Sequence, residues 1–432
     1  MSNMRIDLKH IARVEGYGRL VVNIEEKKLK DSKFMVLEGA RFFEGVVLGK
    51  KYHEVPIIIS RICAICSVSH SVVSTYGIEN ALGIKPSQQT HMLRKLLVYG
   101  EMLESHLLHV YYLALPDYVR QSSVIPLASS HPDVVKRAFF GHGLANEIQR
   151  KIGGRAVHPI RNVVGGFSMF PSFEDMKMLR SKLPQLIEDT METIKLLKSL
   201  PDQPRIAMKR DYVAIWDCNE YAYCYANEIT HGHGEPFPAA DYQKYLIEEV
   251  RPYSHTKFST INNESFMVGA LPRLNLNHHL LTNIGKEALE LSELQLPDYD
   301  TYHNNMAQLV ECVDCAQRSI DILDHFISNG FLEEDFDFDP KPGNGTAVTE
   351  APRGLLVHQY TFDDDLRCSF CDVVTPTAYN QFKMETDCED LIPRIAHRPK
   401  EDIELFLNML IRAYDPCISC SAHSIKLDVR FQ

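Results

Sequence analysis

Hydrophobic and polar residues alternate through the first 37 positions, in "RIDLKH", "GRLVVNIEE" and "KFMVLEG". A period of two belongs to strands with one buried face, so this region predicts a small antiparallel sheet, with Lys27 to Asp31 as its polar turn. From about Gln89 the period lengthens. "THMLRKLLVYGEMLESHLLHVYYLAL" is apolar on most sides and holds Gly100 but no proline before Pro116, which predicts a long buried helix. "FEDMKMLRSKLPQLIEDTMETIKLLKSL" is amphipathic, and Pro184 is expected to kink or restart it. "YHNNMAQLVECVDCAQRSIDILDHFISN" predicts another long helix, closed by Gly330, and "PKEDIELFLNMLIRAYD" a last one. Between these two, "GNGTAVTEAPRG" reads as polar turns, and "RGLLVHQYTF" and "CDVVTPTAY" as short strands. There is no repeat, low-complexity tract or obvious linker. The expected fold class is α+β, predominantly helical, with one continuous core and one domain over residues 1–432.

Composition narrows the function. The chain has 432 residues, 45% of them hydrophobic, enough for a large core. Its 46 basic and 57 acidic residues give a net charge of -11, which argues against nucleic acid as a partner. No apolar run reaches the ~18 residues of a membrane span. The N-terminal "MSNMRIDLKHIARVEGYG" is polar and charged, unlike a signal peptide, so a cytoplasmic location is expected. In that compartment eleven cysteines do not suggest a disulfide framework; paired ones point to metal binding or catalysis.

Four pairs have CxxC spacing: Cys63/Cys66, Cys312/Cys315, Cys368/Cys371 and Cys417/Cys420. Two thiolates three positions apart can face one ion, and thiolate is a soft ligand suited to zinc, iron–sulfur clusters, copper(I) or nickel. A free cysteine is also a common small core residue. That reading suits Cys312/Cys315 inside an amphipathic helix, Cys368/Cys371 on a strand, and Cys218 and Cys224. The outer pairs differ. They sit in breaks between elements, in "RICAICSVSH" and "DPCISCSAH", beside Arg61, His70, Asp415 and His423. A structural zinc site usually gathers its halves within ~15–20 residues. A site drawn from both ends of a large domain fits a buried catalytic metal better.

These two motifs resemble the signatures of the large subunit of nickel–iron hydrogenases. "IARVEGYGRL", "EGARFFEG", "ESHLLHVYYLALPDY", "GGRAVHPIRNVVGGF", "TEAPRG" and "VVTPTAYN" resemble further blocks of that family, in family order, from about Ile11 to His423. "RAYDPCISCS" and the overall length are similar to the cytosolic NAD(P)-linked branch, including the sulfhydrogenase type. The resemblance implies the large-subunit fold and reversible heterolytic cleavage of dihydrogen to protons and electrons. It implies nickel held by Cys63, Cys66, Cys417 and Cys420, with Cys63 and Cys417 terminal and Cys66 and Cys420 bridging to an iron that carries carbon monoxide and cyanide. Glu15 would take protons from Cys417. Arg353 would stand over the metals, held by Asp117 and Asp415. Pro376 and Thr377 would meet the cyanides, and His70 would hydrogen-bond a bridging sulfur. Glu44 and His423 would bind a magnesium-type ion, magnesium or iron.

The family chain ordinarily ends at the histidine matching His423, after an endopeptidase acts on the nickel-loaded protein, so "SIKLDVRFQ" (424–432) reads as a removable extension. The chain has no ferredoxin-type cysteine run to carry electrons. An iron–sulfur small subunit is therefore the expected partner, with flavin and NAD(P) subunits beyond it and nickel-insertion factors during assembly. Alternatives from the same fold are a hydrogen sensor or a relative of the large core subunit of respiratory complex I; a zinc or cluster scaffold is the other class.

Overall fold

Strands β1 (Met4–Leu8), β2 (Gly18–Glu25) and β3 (Lys28–Val36) form the expected antiparallel sheet, in the order β1-β2-β3. Leu20 pairs with Phe34 and Ile6 with Val22, so the alternation puts these apolar side chains on one buried face. The turn is tighter than expected: it is Glu26–Lys27, both with positive φ, a two-residue connection that matches strand twist. The computed structural model describes residues 3–422 except Asp202, Ala207, Arg210, His233, Asp335 and Asp337.

Helix α1 (Ser67–Leu82) starts directly after Cys66 and is buried almost throughout. The long apolar run becomes α2 (Gln88–Leu107), whose first turn is capped by the Ser87 hydroxyl accepting from the Thr90 N–H. A π-helical stretch, Leu108–Ala114, continues it to Tyr118. Helices α3 (Pro132–Gly153) and α4 (Phe173–Ser199) follow. Pro184 does not restart the chain: α4 runs through it as one helix. The lost backbone hydrogen bond is outweighed by an apolar stripe, Met176, Leu179, Leu183, Leu186 and Ile194, buried along the whole helix.

Strands β4 (Asp211–Trp216) and β5 (Glu228–His231) are the middle pair of a second, four-stranded sheet. Helix α5 (Asn304–Asn329) packs against α2 and α4 and ends at Gly330, φ 72°, as expected. The "GNGTAVTEA" stretch is a strand, not turns: β6 (Gly343–Ala351) opens the meander β6-β7-β8 with β7 (Gly354–Phe362) and β8 (Cys368–Val374). Its glycines serve close approach: a Cβ on Gly345 would lie 2.2 Å from the Ala81 nitrogen of α1. Helices α6 (Pro376–Ile395) and α7 (Lys400–Ala413) deliver the chain to the second cysteine pair.

The core is not one body of apolar side chains but three: the α1–α5 bundle with the first cysteine loop, the N-terminal sheet with α6 and α7, and the β4–β8 region. Cys417 and Cys420 belong to the first and Ile418 to the second. The second cysteine loop is thus a seam between two cores. Among the described residues no helix is long and apolar enough to cross a membrane.

Candidate metal centre

Cys63 is extended, at the end of a 3₁₀ turn (Ser60–Ile62), and Cys66 is the residue before α1. Cys417 precedes a one-turn helix, Ile418–Ser421, that contains Cys420. The tertiary fold brings these breaks together. Cys63 Sγ lies 3.3 Å from Cys417 Sγ, Cys66 Sγ 3.0 Å from Cys420 Sγ, and Cys417 Sγ 2.7 Å from Cys420 Sγ. All four sulfurs are buried and lie within 4.8 Å of one another, the one such donor group among the described residues. Two sulfurs each bonded at about 2.3 Å to one ion can be no more than about 4.6 Å apart; the three close pairs lie inside that limit, and a compact group of four thiols fits a soft first-row metal.

Donation from Cys417 and then Cys420 pulls Cys63 well below the ordinary thiol range. Donation from Cys417 and Cys420 also favours a Cys66 thiolate, but the Cys63 charge and burial prevail and push it up to about 12. Burial above all pushes Cys417 and Cys420 up. A single thiolate is comfortable here; more need positive charge brought to the site.

Two side chains hold the loops. Arg41 donates to the Ile62 carbonyl at 2.5 Å and the Ser419 carbonyl at 2.6 Å, joining the two cysteine loops. Glu101 of α2 accepts from the Val68 N–H at 2.7 Å, the Ser69 N–H at 2.9 Å and the Ser69 hydroxyl, fixing the start of α1. Burial raises its pKa to about 8 despite those donors. Arg41 stands inside "EGARFFEG", the signal that could have found it; Glu101 carries no local signal.

Glu15 stands against the second cysteine loop. One carboxylate oxygen lies 3.3 Å from Cys417 Sγ and accepts from the Ser419 N–H at 2.9 Å, while its backbone carbonyl accepts from Ile418. Burial raises its pKa, and the Cys63 charge adds to that. Thr377, at the start of α6 beside Pro376, accepts from the Cys417 N–H at 2.9 Å. Arg353 is 3% exposed. It donates to the Asp415 carbonyl at 2.7 Å, the Asp415 carboxylate at 2.9 Å and the Ser105 hydroxyl at 2.9 Å. Burial opposes its charge, but Asp415 and then the Cys417 sulfur outweigh that and keep it protonated.

One expectation changes, that for Asp117. Asp117 does not hold Arg353; it is ion-paired with Arg13 and, at 2.5 Å, with Arg412. Asp117 follows the π-helical stretch, and Ser105, twelve residues earlier on α2, takes the place beside Arg353. Ser105 lies in the quoted "ESHLLH" block but has no charge to draw notice. The His70 ring meets His358, Nδ1 to Nε2 3.2 Å, and His358 in turn meets the Tyr360 hydroxyl at 2.8 Å. Glu44 accepts from the Val373 N–H at 2.9 Å, and burial raises its pKa to about 7 against the pull of Lys257. Among the described residues it joins no group of three donors, and His423 lies outside them.

The other cysteines read correctly with one exception. Cys312, Cys315, Cys368, Cys371 and Cys224 are buried, whereas Cys218 is exposed at the end of β4.

Comparison with known proteins agrees with this geometry. The model of a family described as "Nickel-dependent hydrogenase" matches residues 41–134 and 214–423. The chain is 33% identical to the sulfhydrogenase 1 subunit alpha of Pyrococcus furiosus, over 98% of both chains. It is 34% identical to the sulfhydrogenase 2 subunit alpha of the same organism, over 98% of this chain and all of that one. Its fold matches the crystal structure of an NAD+-reducing [NiFe]-hydrogenase in the H2-reduced state, with TM-score 0.86 and 23% identity over 98% of this chain and 100% of that one. With four buried thiols converging where the family model matches, the chain belongs to the nickel-dependent hydrogenase family, as a catalytic large subunit.

Proposed function

We propose that Cys63, Cys66, Cys417 and Cys420 hold nickel, and that Cys66 and Cys420 share it with an iron bearing carbon monoxide and cyanide. The convergence of four buried sulfurs within 4.8 Å carries this reading. When bound, such a centre supplies the electrophile and electron acceptor for heterolytic cleavage of dihydrogen. The protein's residues supply the rest. Arg353 places a fixed positive charge beside the sulfurs, which favours their thiolate forms. Thr377 and Arg41 lock the loop that carries Cys417. Glu15 takes the proton from Cys417: it touches that sulfur, and burial brings its pKa toward the thiol's.

Electrons leave to a partner with iron–sulfur clusters, and onward to flavin and NAD(P) subunits in the cytoplasm. Exposed apolar side chains on the segments flanking the cysteine loops support such docking. Tyr17 (42% exposed) stands near Glu15, Phe42 (39%) beside Arg41, Ile57 (57%) ahead of Cys63 and Ile160 (55%) near His158, which bonds the Ser60 carbonyl. Removal of "SIKLDVRFQ" after His423 by a maturation endopeptidase, following nickel insertion, belongs to the same reading; those residues lie outside the described ones.

The test is anaerobic purification of the native complex from nickel-supplied cells, with metal analysis, subunit identification and an acceptor screen. Nickel and iron near one each per chain, with dihydrogen-dependent reduction of NAD(P), are expected. Zinc alone would overturn the proposal.

A further inference from the structure

Behind the turn that carries Arg353 lies a buried charge cluster. Arg273, on the short helix Ala270–Asn277, is 0% exposed, as are Glu311 of α5 and Glu350 of β6. The Arg273 guanidinium donates to both Glu311 oxygens, at 2.6 and 2.5 Å, and to Glu350 at 2.8 Å. The same head also reaches two consecutive backbone carbonyls, Ala351 at 3.3 Å and Pro352 at 3.2 Å. These immediately precede Arg353. Glu311 further accepts from the Tyr221 hydroxyl at 2.7 Å and lies 2.9 Å from His106 Nε2, and Glu350 accepts from the Ile215 N–H at 2.9 Å.

Such a cluster is a poor device for stability, because desolvating its charges offsets most of their attraction and apolar replacements often do as well. It is a good device for direction. A guanidinium is planar, with its donors in a fixed fork. Glu311 on one edge sets the plane, and the other edge then aims at the two carbonyls. Pro352 and Arg353 form the two-residue turn between paired Ala351 and Gly354. Gly354, with φ 127°, lets Val268 and Gly269 press against the turn from behind. Fixing the 351 and 352 carbonyls therefore fixes the bond from which the Arg353 side chain leaves. The network also reaches the other side of Arg353, since His106 is bonded to Glu311 and adjoins Ser105, an acceptor for Arg353.

We propose that Arg273 is a positioning residue for the hydrogenase reaction: it clamps the Ala351 and Pro352 carbonyls and so sets the direction in which Arg353 enters the four-thiol site. The proposal rests on the reading of Arg353 given above.

The test uses full-length chain from nickel-starved cells and the variants R273K, R353K and R273K/R353K. Lysine keeps the charge at 273 but not the fork. The readout is the iodoacetamide alkylation rate of each cysteine, followed by peptide mass spectrometry. Cys63, Cys66, Cys417 and Cys420 are expected to react severalfold slower in R273K and R353K alike, because the thiolate is the nucleophile and a displaced charge no longer favours it. They should be no slower in the double variant than in either single one, because one residue acts through the other. Cys312 and Cys315 should keep their wild-type rates. Acceleration of Cys312 would mean general loosening and would overturn the proposal. Wild-type rates in R273K beside slow rates in R353K would overturn the clamp alone. Wild-type rates in R353K would refute the reading of Arg353 and the clamp with it. If R273K does not accumulate as folded chain, R273M/E311Q/E350Q, which leaves no unpaired buried charge, is held to the same pattern against R353K.

Discussion

Replacing Glu15 by glutamine separates proton traffic from assembly of the site. Glutamine has the same size. Its carbonyl oxygen can take the place of the one carboxylate oxygen that accepts from the Ser419 N–H at 2.9 Å and lies 3.3 Å from Cys417 Sγ. The bond from the Ile418 N–H to the Glu15 carbonyl is backbone and survives. The second cysteine loop should therefore form, and nickel content should stay near wild type. What is lost is the capacity to accept a proton. A free carboxyl group near pKa 4.3 and a free thiol near 8.5 differ by about four units, a poor match for rapid exchange. Burial raises Glu15 and narrows that gap, which is what the proposed base requires. Removing one costs ~10² or more in rate, or about 3 kcal/mol on the barrier at 1.36 kcal/mol per tenfold. The assay is exchange of deuterium gas with water, expressed per mole of nickel, beside infrared bands of the iron's diatomic ligands. The bands should persist while exchange falls. Unchanged exchange per nickel in E15Q would show that the proton leaves by another route. Reduced nickel with normal exchange per nickel would make Glu15 a structural residue only.

C417S should abolish nickel retention, since a hydroxyl is a hard ligand in a soft site, whereas C312S should keep full nickel and lose about 1–3 kcal/mol from a buried hydroxyl; metal analysis with thermal unfolding checks both. D117N should destabilise the chain by on the order of 3 kcal/mol by stranding Arg13 and Arg412 beside a neutral amide. Turnover per nickel should be unchanged in D117N, and a loss matching that of R353K would restore Asp117 to the site. Stability should also depend on Glu101. Its folded pKa of about 8 stands above an ordinary value near 4.3, so between those pH values the folded chain holds a proton that the unfolded chain has released. That contribution to stability therefore falls as pH rises through the window, by at most ~1.4 kcal/mol per unit. E101Q should flatten the slope, and a wild-type minus E101Q difference in unfolding midpoint that stays constant from pH 4.5 to 8 would refute this.

The elements of the fold were largely legible from local pattern. The period of two placed the N-terminal sheet, and the 3.6-residue period placed the helices that became α2, α4, α5 and α7. Chemistry was legible where residue type restricts it. Cysteines at i and i+3 in two polar breaks, with Glu15, Arg353, Thr377 and Asp415 in recognisable blocks, named most of the site. Periodicity and residue type are properties of a few neighbouring positions, and a linear sequence carries them directly.

What needed the tertiary structure was pairing. Nothing local says that Cys63 meets Cys417 across 354 positions, that Asp117 belongs to Arg13 and Arg412, or that a serine takes its place beside Arg353. Continuity through Pro184 and the strand at "GNGTA" have the same cause: packing along the whole of α4 outweighs one lost hydrogen bond, and glycines that suggest turns let β6 lie against α1. Bringing distant segments together costs chain entropy that no single contact returns. Three apolar cores offset it jointly, and the cysteine loops are held at their seam. An amphipathic stripe encodes that a face will be buried; only the complete fold decides against what, and therefore which donors converge on the metal.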